Sequence, residues 1–400
     1  MGLLKILFLG IFVTFPLGVL IRISVAPQAY IYPVDFFVVL FVLYGVYALM
    51  LTQKNVQWFG SWKFFLVASF VSLLVNIYWL EQRELLVSSL YLVRLTMYLL
   101  LIPIVSSLFS KKDVSWILSV IALSIGVIVV GGLAQYFLYP DLRNLMYLGW
   151  DEHLYRVFSS FLDPNFASVI FVILFWIVVI LTQQKKQKDF LSYVWYVLVV
   201  LTSIAILLTY SRTGYVAWVG SILVFVMITR KIKFFLILIA CMLLGIVFLP
   251  KNLQSEGVNL FRTASVFSRI ESYQTAFSIV QKNPVFGVGF NTYRYAQEKN
   301  ISQQNSISRS HAGAGVSNSY LFVLATTGIV GFCAFLYVCW QTAKQILSIQ
   351  SSSIRTGTIS IGVAILLSGL TENTIFYSFI LIVICCLLGV VRLATEKNGR

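Results

Sequence analysis

Apolar residues run along this chain in long stretches broken by short polar connections, and within the stretches they do not alternate with polar ones. Each stretch holds about 20 residues, enough to cross a hydrocarbon core of roughly 30 Å as a helix. Strands crossing a membrane would need strict alternation instead. The pattern predicts an all-α integral membrane protein, a single polytopic domain over residues 1–400. It has about twelve spans, near 3–20, 34–52, 62–80, 85–108, 114–138, 166–182, 190–209, 213–229, 234–250, 318–340, 355–371 and 375–392. The first run, followed by SVAPQA, could also be read as a signal peptide with a cleavage site. The later spans favour a topological start instead.

Composition sharpens this picture. The chain is 59% hydrophobic and 11% charged, with a mean hydropathy of +0.90, against roughly 25% charged residues in a soluble domain. A net charge of +15 would suggest nucleic acid in a soluble protein. Here its placement matters more, and no nucleic-acid partner is expected. Cys241, Cys333, Cys339, Cys385 and Cys386 all lie inside apolar runs without CxxC spacing, so they read as packing residues and not as zinc ligands or disulfides.

Both termini are expected to be cytoplasmic. Each cytoplasmic connection is then basic, carrying Lys54 and Lys63, Lys111 and Lys112, Lys185 to Lys188, Arg230 to Lys233, or Lys344 and Arg355, as the positive-inside rule asks. On the external side most loops are short. Two are not: one over 139–165 and one over 251–317, between the ninth and tenth spans, and external loops of that size usually carry function. The external cations are mostly arginine (Arg22, Arg83, Arg143, Arg156, Arg212, Arg262, Arg269, Arg294, Arg309), whereas lysine dominates inside. Topology needs only charge, but a planar guanidinium adds two parallel donors that fit phosphate or carboxylate. The external face is therefore expected to hold an anion, with lipid headgroups and helix capping as the structural alternative for any single arginine.

Four stretches carry candidate chemistry. In YSRTGYVAWVG, Arg212 sits at the mouth of a span beside Ser211, Thr213 and Gly214. A snorkelling arginine is the plain reading. Gly214 permits close backbone approach, and the hydroxyls add hydrogen bonds. In RVFSSFLDPNFAS, Asp163 before Pro164, with Asn165 behind, reads as a helix start, while Arg156 is less easily explained by capping. In SRIESYQTAFSIVQKNPVFGVGFNTY, a helix from Arg269 to about Ile279 is expected to present Ile270, Tyr273, Ala276, Phe277 and Val280 on one face and to lie along the membrane surface. In SHAGAGVSNSYLFVLATTGIVG, His311 is one of two histidines in the chain, the other being His153, and an imidazole can take a proton from a hydroxyl near neutral pH. Asn318 opens the tenth span. Arg94 and Glu372 lie within or at the ends of spans, where charges are usually paired or functional; the sequence leaves open whether they pair with each other.

In this order, and with the large external loop between the ninth and tenth spans, the motifs resemble the O-antigen polymerase and O-antigen ligase superfamily over about residues 150–335. These are bacterial membrane glycosyltransferases that use polyprenyl-diphosphate-linked sugars. The resemblance implies a GT-C-like membrane fold in the cytoplasmic membrane. Its donor would be an undecaprenyl-diphosphate-linked oligosaccharide, its acceptor a glycan hydroxyl, its chemistry metal-independent and free of cofactors, and a flippase and chain-length regulator would be its partners. It also implies Arg212 and Arg269 as diphosphate ligands, with Arg156 as a further candidate, and His311 as base. Ligases carry histidine directly before the asparagine that opens the tenth span; here Ser317 precedes Asn318. That departure favours repeat-unit polymerisation over ligation. The rivals from other classes are a lipid-linked glycan flippase or secondary transporter, which should show related halves or a central line of cations, and a non-catalytic assembly scaffold indifferent to loss of His311.

Overall fold

The structure is a computed structural model and describes residues 2–26, 29–52, 56–148, 150–184, 190–233, 240, 245, 258, 263–303 and 315–395. Among these residues the α-helices are α1 (Gly2–Thr14), α2 (Pro33–Leu51), α3 (Trp62–Val75), α4 (Gln82–Leu108), α5 (Val114–Leu138), α6 (Pro164–Gln184), α7 (Phe190–Leu208), α8 (Arg212–Thr229), α9 (Ala264–Lys282), α10 (Tyr293–Gln303), α11 (Ser319–Leu347), α12 (Ser352–Gly369) and α13 (Ser378–Thr395). By length and composition, eight described helices can cross a membrane: α2, α4 to α8, α11 and α13. The helices α1 and α3 are apolar but shorter, and α12 carries a more polar sequence. The span expected near 234–250 lies almost wholly outside the described residues.

A small hairpin follows α1: β1 (Ile23–Ala26) pairs antiparallel with β2 (Ala29–Ile31), Ser24 opposite Tyr30. Seven residues are too few to reveal a period of two beside 20-residue apolar runs.

Two polar contacts tie together connections that charge assigns to one side. Lys5 Nζ meets Asp113 Oδ1 at 2.6 Å, joining the start of α1 to the turn before α5. Arg392, near the end of α13, donates to the Gln57 carbonyl at 3.4 Å. These contacts gather at the lysine-rich end of the bundle, so the arginine-rich segments occupy the other.

The helix α6 forms the axis of the core. From Ala167 to Leu181 every residue is buried, because α5, α7, α8 and α12 pack around it. A helix apolar all round is stable only when enclosed in this way. Of the cysteines, Cys385 and Cys386 are buried in α13, but Cys333 is exposed on the face of α11, where a small apolar side chain can meet lipid. Cys241 lies outside the described residues.

The amphipathic helix predicted from Arg269 is α9, and it is longer than expected. Its inner face is Tyr273, Ala276, Ile279 and Val280, whereas Ile270 and Phe277 are exposed with Phe267 on the opposite side. The expected face is thus rotated: the helix has two apolar faces, and the sequence pattern merged them. The chain then turns at Asn283 and packs the segment 284–292 against a break in α11 at Gly328. Val288 and Gly289 donate to the carbonyls of Ala325 and Thr326 at 3.0 Å each, and Ile329 donates to Pro284 at 2.9 Å. On the α3 side, Ser72 donates to the Phe286 carbonyl at 2.6 Å and Asn76 Nδ2 to the Gly287 carbonyl at 3.0 Å. The break would leave carbonyls unpaired inside a bilayer, and the turn satisfies them.

Two glycines make that meeting possible. Gly287 and Gly328 both have left-handed φ, 65° and 64°; a Cβ on Gly287 would lie 2.7 Å from the Gly328 nitrogen, and one on Gly328 would lie 2.6 Å from the Gly287 nitrogen. Gly287→Ala and Gly328→Ala are each expected to expel the turn and lower the thermal midpoint by several degrees. Cysteine labelling at Val285 should then proceed faster, and an unchanged midpoint with unchanged labelling would refute this account.

Candidate functional site

Four segments converge at the arginine-rich end: Arg156 to Asn165, the α7–α8 junction, the first turns of α9, and the connection from Leu370 to Tyr377. Local sequence shapes each one. Asp163 and Pro164 start α6, with Asp163 Oδ1 accepting from the Asn165 backbone at 2.6 Å. Ser211 caps α8 by accepting from Gly214 N at 3.2 Å and also donates to Asn165 Oδ1 at 2.8 Å. A Cβ on Gly214 would lie 2.5 Å from Ser168 Oγ, so the missing side chain lets α8 approach α6. Asn318 caps α11, accepting from Tyr320 N and Leu321 N at 2.9 and 3.0 Å, and its Nδ2 donates to the Leu370 carbonyl at 2.9 Å.

At the junction stands an ion pair. Arg269 Nη2 meets Glu372 Oε1 at 2.6 Å, with the two side chains 20% and 15% exposed. Asn165 Nδ2 donates to the same carboxylate oxygen at 3.2 Å, and Arg269 also reaches Thr213 Oγ1 at 3.5 Å. Thr213 in turn bonds Thr371 at 2.8 Å, and Tyr273 donates to the Leu370 carbonyl at 2.9 Å. Burial pushes the Glu372 carboxyl up to about 7, with Arg269 beside it pulling the other way. Burial also raises Asp163, against the Asn165 backbone and Arg156.

These groups wall a cavity of about 710 Å³, within the usual range of a ligand site. Arg156, Asp163, Asn165, Arg269 and Glu372 form its polar side; Tyr32, Tyr91, Trp150, Phe376 and Tyr377 form an aromatic side, with Arg94 between them. Asp151, Glu152, His153 and Ser317 are also among the lining residues.

The structure redistributes the roles expected of the charged residues. Arg156 is 4% exposed, and its Nε donates to the Thr209 carbonyl at 2.8 Å, with Nη2 reaching Tyr210 at 3.4 Å. It therefore caps the C-terminus of α7 while lining the cavity. Arg212 opens α8, is half-buried, and lies near enough to Arg269 for the two charges to repel; it is not part of the described cavity wall. Arg94 and Glu372 do not pair with each other: Arg94 Nη2 meets Asp35 Oδ2 at 2.9 Å. His311 lies outside the described residues. Among the described residues the external arginines do not all gather at one place: Arg22 stacks over Tyr30 and Trp150, Arg294 over Tyr295, and Arg143 pairs with Asp141, while Arg262 and Arg309 lie outside the described residues.

Asp35 and Thr371 carry no motif that sequence reasoning singles out. Asp35, the third residue of α2 behind Tyr32 and Pro33, carries the one local signal: an acid in a helix's first turn.

Residues 197–336 match the O-antigen ligase family. The match covers 140 of the 400 residues and supports a likeness to the O-antigen ligase and polymerase superfamily. The matched segment runs from α7 into α11 and contains Ser211, Arg212, Gly214, Arg269 and Asn318; Arg156, Asn165 and Glu372 reach the same site from outside it. Superfamily members are glycosyltransferase-like membrane enzymes of polysaccharide biosynthesis that act on polyprenyl-linked glycans. No curated protein matches the chain.

Glu372 gives this site a measurable signature. Its folded value of about 7 exceeds the ordinary 4.5, so the folded protein binds the proton more tightly. That stabilisation is complete below about 4.5 and lost as pH rises through about 7. Glu372→Gln is expected to flatten the fall in Tm between pH 5 and 8 by differential scanning fluorimetry; a variant profile parallel to wild type would count against it.

Proposed function

We propose that the protein is a membrane glycosyltransferase of polysaccharide assembly, joining oligosaccharide repeat units by transfer from a polyprenyl diphosphate to an acceptor sugar hydroxyl outside the cytoplasmic membrane. The observation that carries this reading is the cavity at the arginine-rich end, with Arg269 fixed on its wall by Glu372, which Asn165 holds in turn. An arginine held in place needs no reorganisation when charge develops, which is the condition for electrostatic catalysis.

Arg269 and the neighbouring Arg212 bind the donor's diphosphate, and Arg156 adds positive potential from its buried place at the end of α7. A guanidinium carries five N–H donors, so Arg269 can keep Glu372 while donating to phosphate oxygens. The acceptor hydroxyl oxygen attacks the anomeric carbon as the bond from that carbon to the phosphate oxygen breaks. The electron pair leaves with the diphosphate, the anomeric centre inverts, and His311 takes the hydroxyl proton. The diphosphate supplies the activation, and no metal or cofactor enters the step. The aromatic wall formed by Trp150, Tyr32 and Tyr377 suits the apolar faces of sugar rings.

Polymerisation is preferred over ligation because Ser317 stands where ligases carry histidine. A carrier or flippase is disfavoured by α6, whose buried apolar length fills the centre of the bundle, where a transport path would need polar groups.

Purified protein supplied with an undecaprenyl-diphosphate-linked repeat unit is expected to extend it in the presence of EDTA. A hydrogen bond to a charged group is worth about 1.5–3 kcal/mol, so Arg212→Ala and Arg269→Ala should each lower the rate roughly 10- to 150-fold. His311→Ala should cost about 10²–10⁴-fold. Undiminished product from both arginine variants overturns the reading, and transfer only to a non-repeat lipid acceptor replaces polymerase with ligase.

A further inference from the structure

Beside the polar cavity lies an apolar hollow of about 380 Å³ between β2, the first turns of α2 and the middle of α4. The two share walls: Tyr91 and Arg94 line both. Its lips are Phe36 and Val39 on α2 with Leu90 and Val93 on α4, all exposed large apolar side chains. Its floor includes Val38 and Tyr98, both buried. The helices α2 and α4 begin here, so the hollow lies in the half of the bundle nearest the arginine-rich end, with its exposed apolar lips facing outward from the helices.

Between the two hollows stands a fixed charge. Arg94 Nη2 donates to Asp35 at 2.9 Å and to the Tyr30 carbonyl, and Tyr98 donates to the other oxygen of Asp35. Its guanidinium also lies over the rings of Tyr32 and Tyr91, at 5.6 and 5.3 Å. A neutralised, immobilised pair here separates a polar chamber from an apolar one while presenting aromatic and methylene surface to both.

We infer that this groove between α2 and α4 receives the isoprenoid tail of the donor whose diphosphate occupies the polar cavity. The inference rests on the function proposed above and adds where the lipid goes. A molecule with a charged head and a long apolar tail needs an exit from a polar site that never exposes the tail to water. The groove provides that exit, because it is apolar, has exposed lips and adjoins the cavity along Tyr91 and Arg94, which line both. The other large apolar hollow, about 400 Å³ and lined by Trp62, Ile346 and Val391 among others, lies toward the lysine-rich end and shares no described wall residue with the polar cavity.

Filling the groove tests this. Val39→Trp and Val93→Trp lie on exposed lips and are compared with Val216→Trp, an exposed position on α8 outside the groove. Wild type and variants in nanodiscs are titrated with undecaprenyl diphosphate and, separately, with inorganic pyrophosphate. The groove variants are expected to bind undecaprenyl diphosphate at least ten-fold more weakly and pyrophosphate unchanged, with Val216→Trp equal to wild type for both. Unchanged undecaprenyl diphosphate binding in the groove variants overturns the inference, as does equal weakening in Val216→Trp. A photoreactive benzoylphenylalanine at Val93 gives a second measurement: an undecaprenyl adduct supports the groove, and a phospholipid adduct alone under saturating undecaprenyl diphosphate overturns it. Wild type that binds neither probe overturns the diphosphate site itself, and the groove with it; loss of the groove alone leaves pyrophosphate binding intact.

Discussion

A charge taken out of water must find a partner, and at the arginine-rich end this rule organises the molecule. Arg269 arrives on α9 from a large connection outside the helical bundle, and Glu372 arrives from the turn between α12 and α13; neither position is tolerable alone at 20% and 15% side-chain exposure. Joined, they commit α9 to the bundle, and Asn165 and Thr213 bind α6 and α8 into the same knot. Removing one member of a buried pair typically costs about 3–5 kcal/mol because the other is stranded. The ion pair is thus a constraint on where α9 can be, more than a net source of stability.

Packing around the knot serves the same end. The wall that carries Arg156 is built from residues in an unfavourable conformation: His153, Tyr155, Ser159 and Leu162 all have φ between 41° and 55°, at about 1–3 kcal/mol each. Such a run persists only where its surroundings determine it. Gln135 on α5 accepts from Phe158 N and Ser159 N at 3.1 and 3.2 Å, Val157 N donates to the Leu208 carbonyl at 2.9 Å, and Tyr155 N donates to Pro140 at 2.7 Å. Arg156, bound to the last carbonyls of α7, locks the segment at its centre. The loop is shaped by the helices behind it, which is how a site gains rigid walls from an irregular chain.

What could be read in the sequence follows from the range of the interactions involved. Apolar runs are local, so the described helices sit where those runs predict; caps are local, so Asp163 and Asn318 mark helix starts in the structure as in the sequence. Pairing is not local. Glu372 lies 103 residues from Arg269 and Asp35 lies 59 from Arg94, and one sequence carries no signal linking them. Arg156 shows the opposite difficulty: its motif pointed to anion binding, while its place against the carbonyls of Thr209 and Tyr210 depends on α7 ending where it does. The two faces of α9 were merged for a similar reason, because periodicity counts apolar residues without knowing that Tyr273 meets a loop and Phe277 does not. Gln135 carries no motif at all; it matters because Arg156, Phe158 and Ser159 of a distant loop bond to its side chain.

The same distinction bears on the chemistry. The matched family segment supplies Arg212 and Arg269 but neither Glu372 nor Asn165, so the segment alone gives guanidinium groups whose direction is undetermined. Orientation comes from outside it, from α6 and from the connection before α13. On the proposed reading a diphosphate must be met by donors already aimed, since two arginines close enough to repel each other would otherwise turn apart into solvent. Glu372 opposes that repulsion from one side while leaving phosphate room on the other. With a value of about 7 it can also give up its charge near neutral pH, so the counter-anion that positions Arg269 is weak enough to share it with a more highly charged ligand.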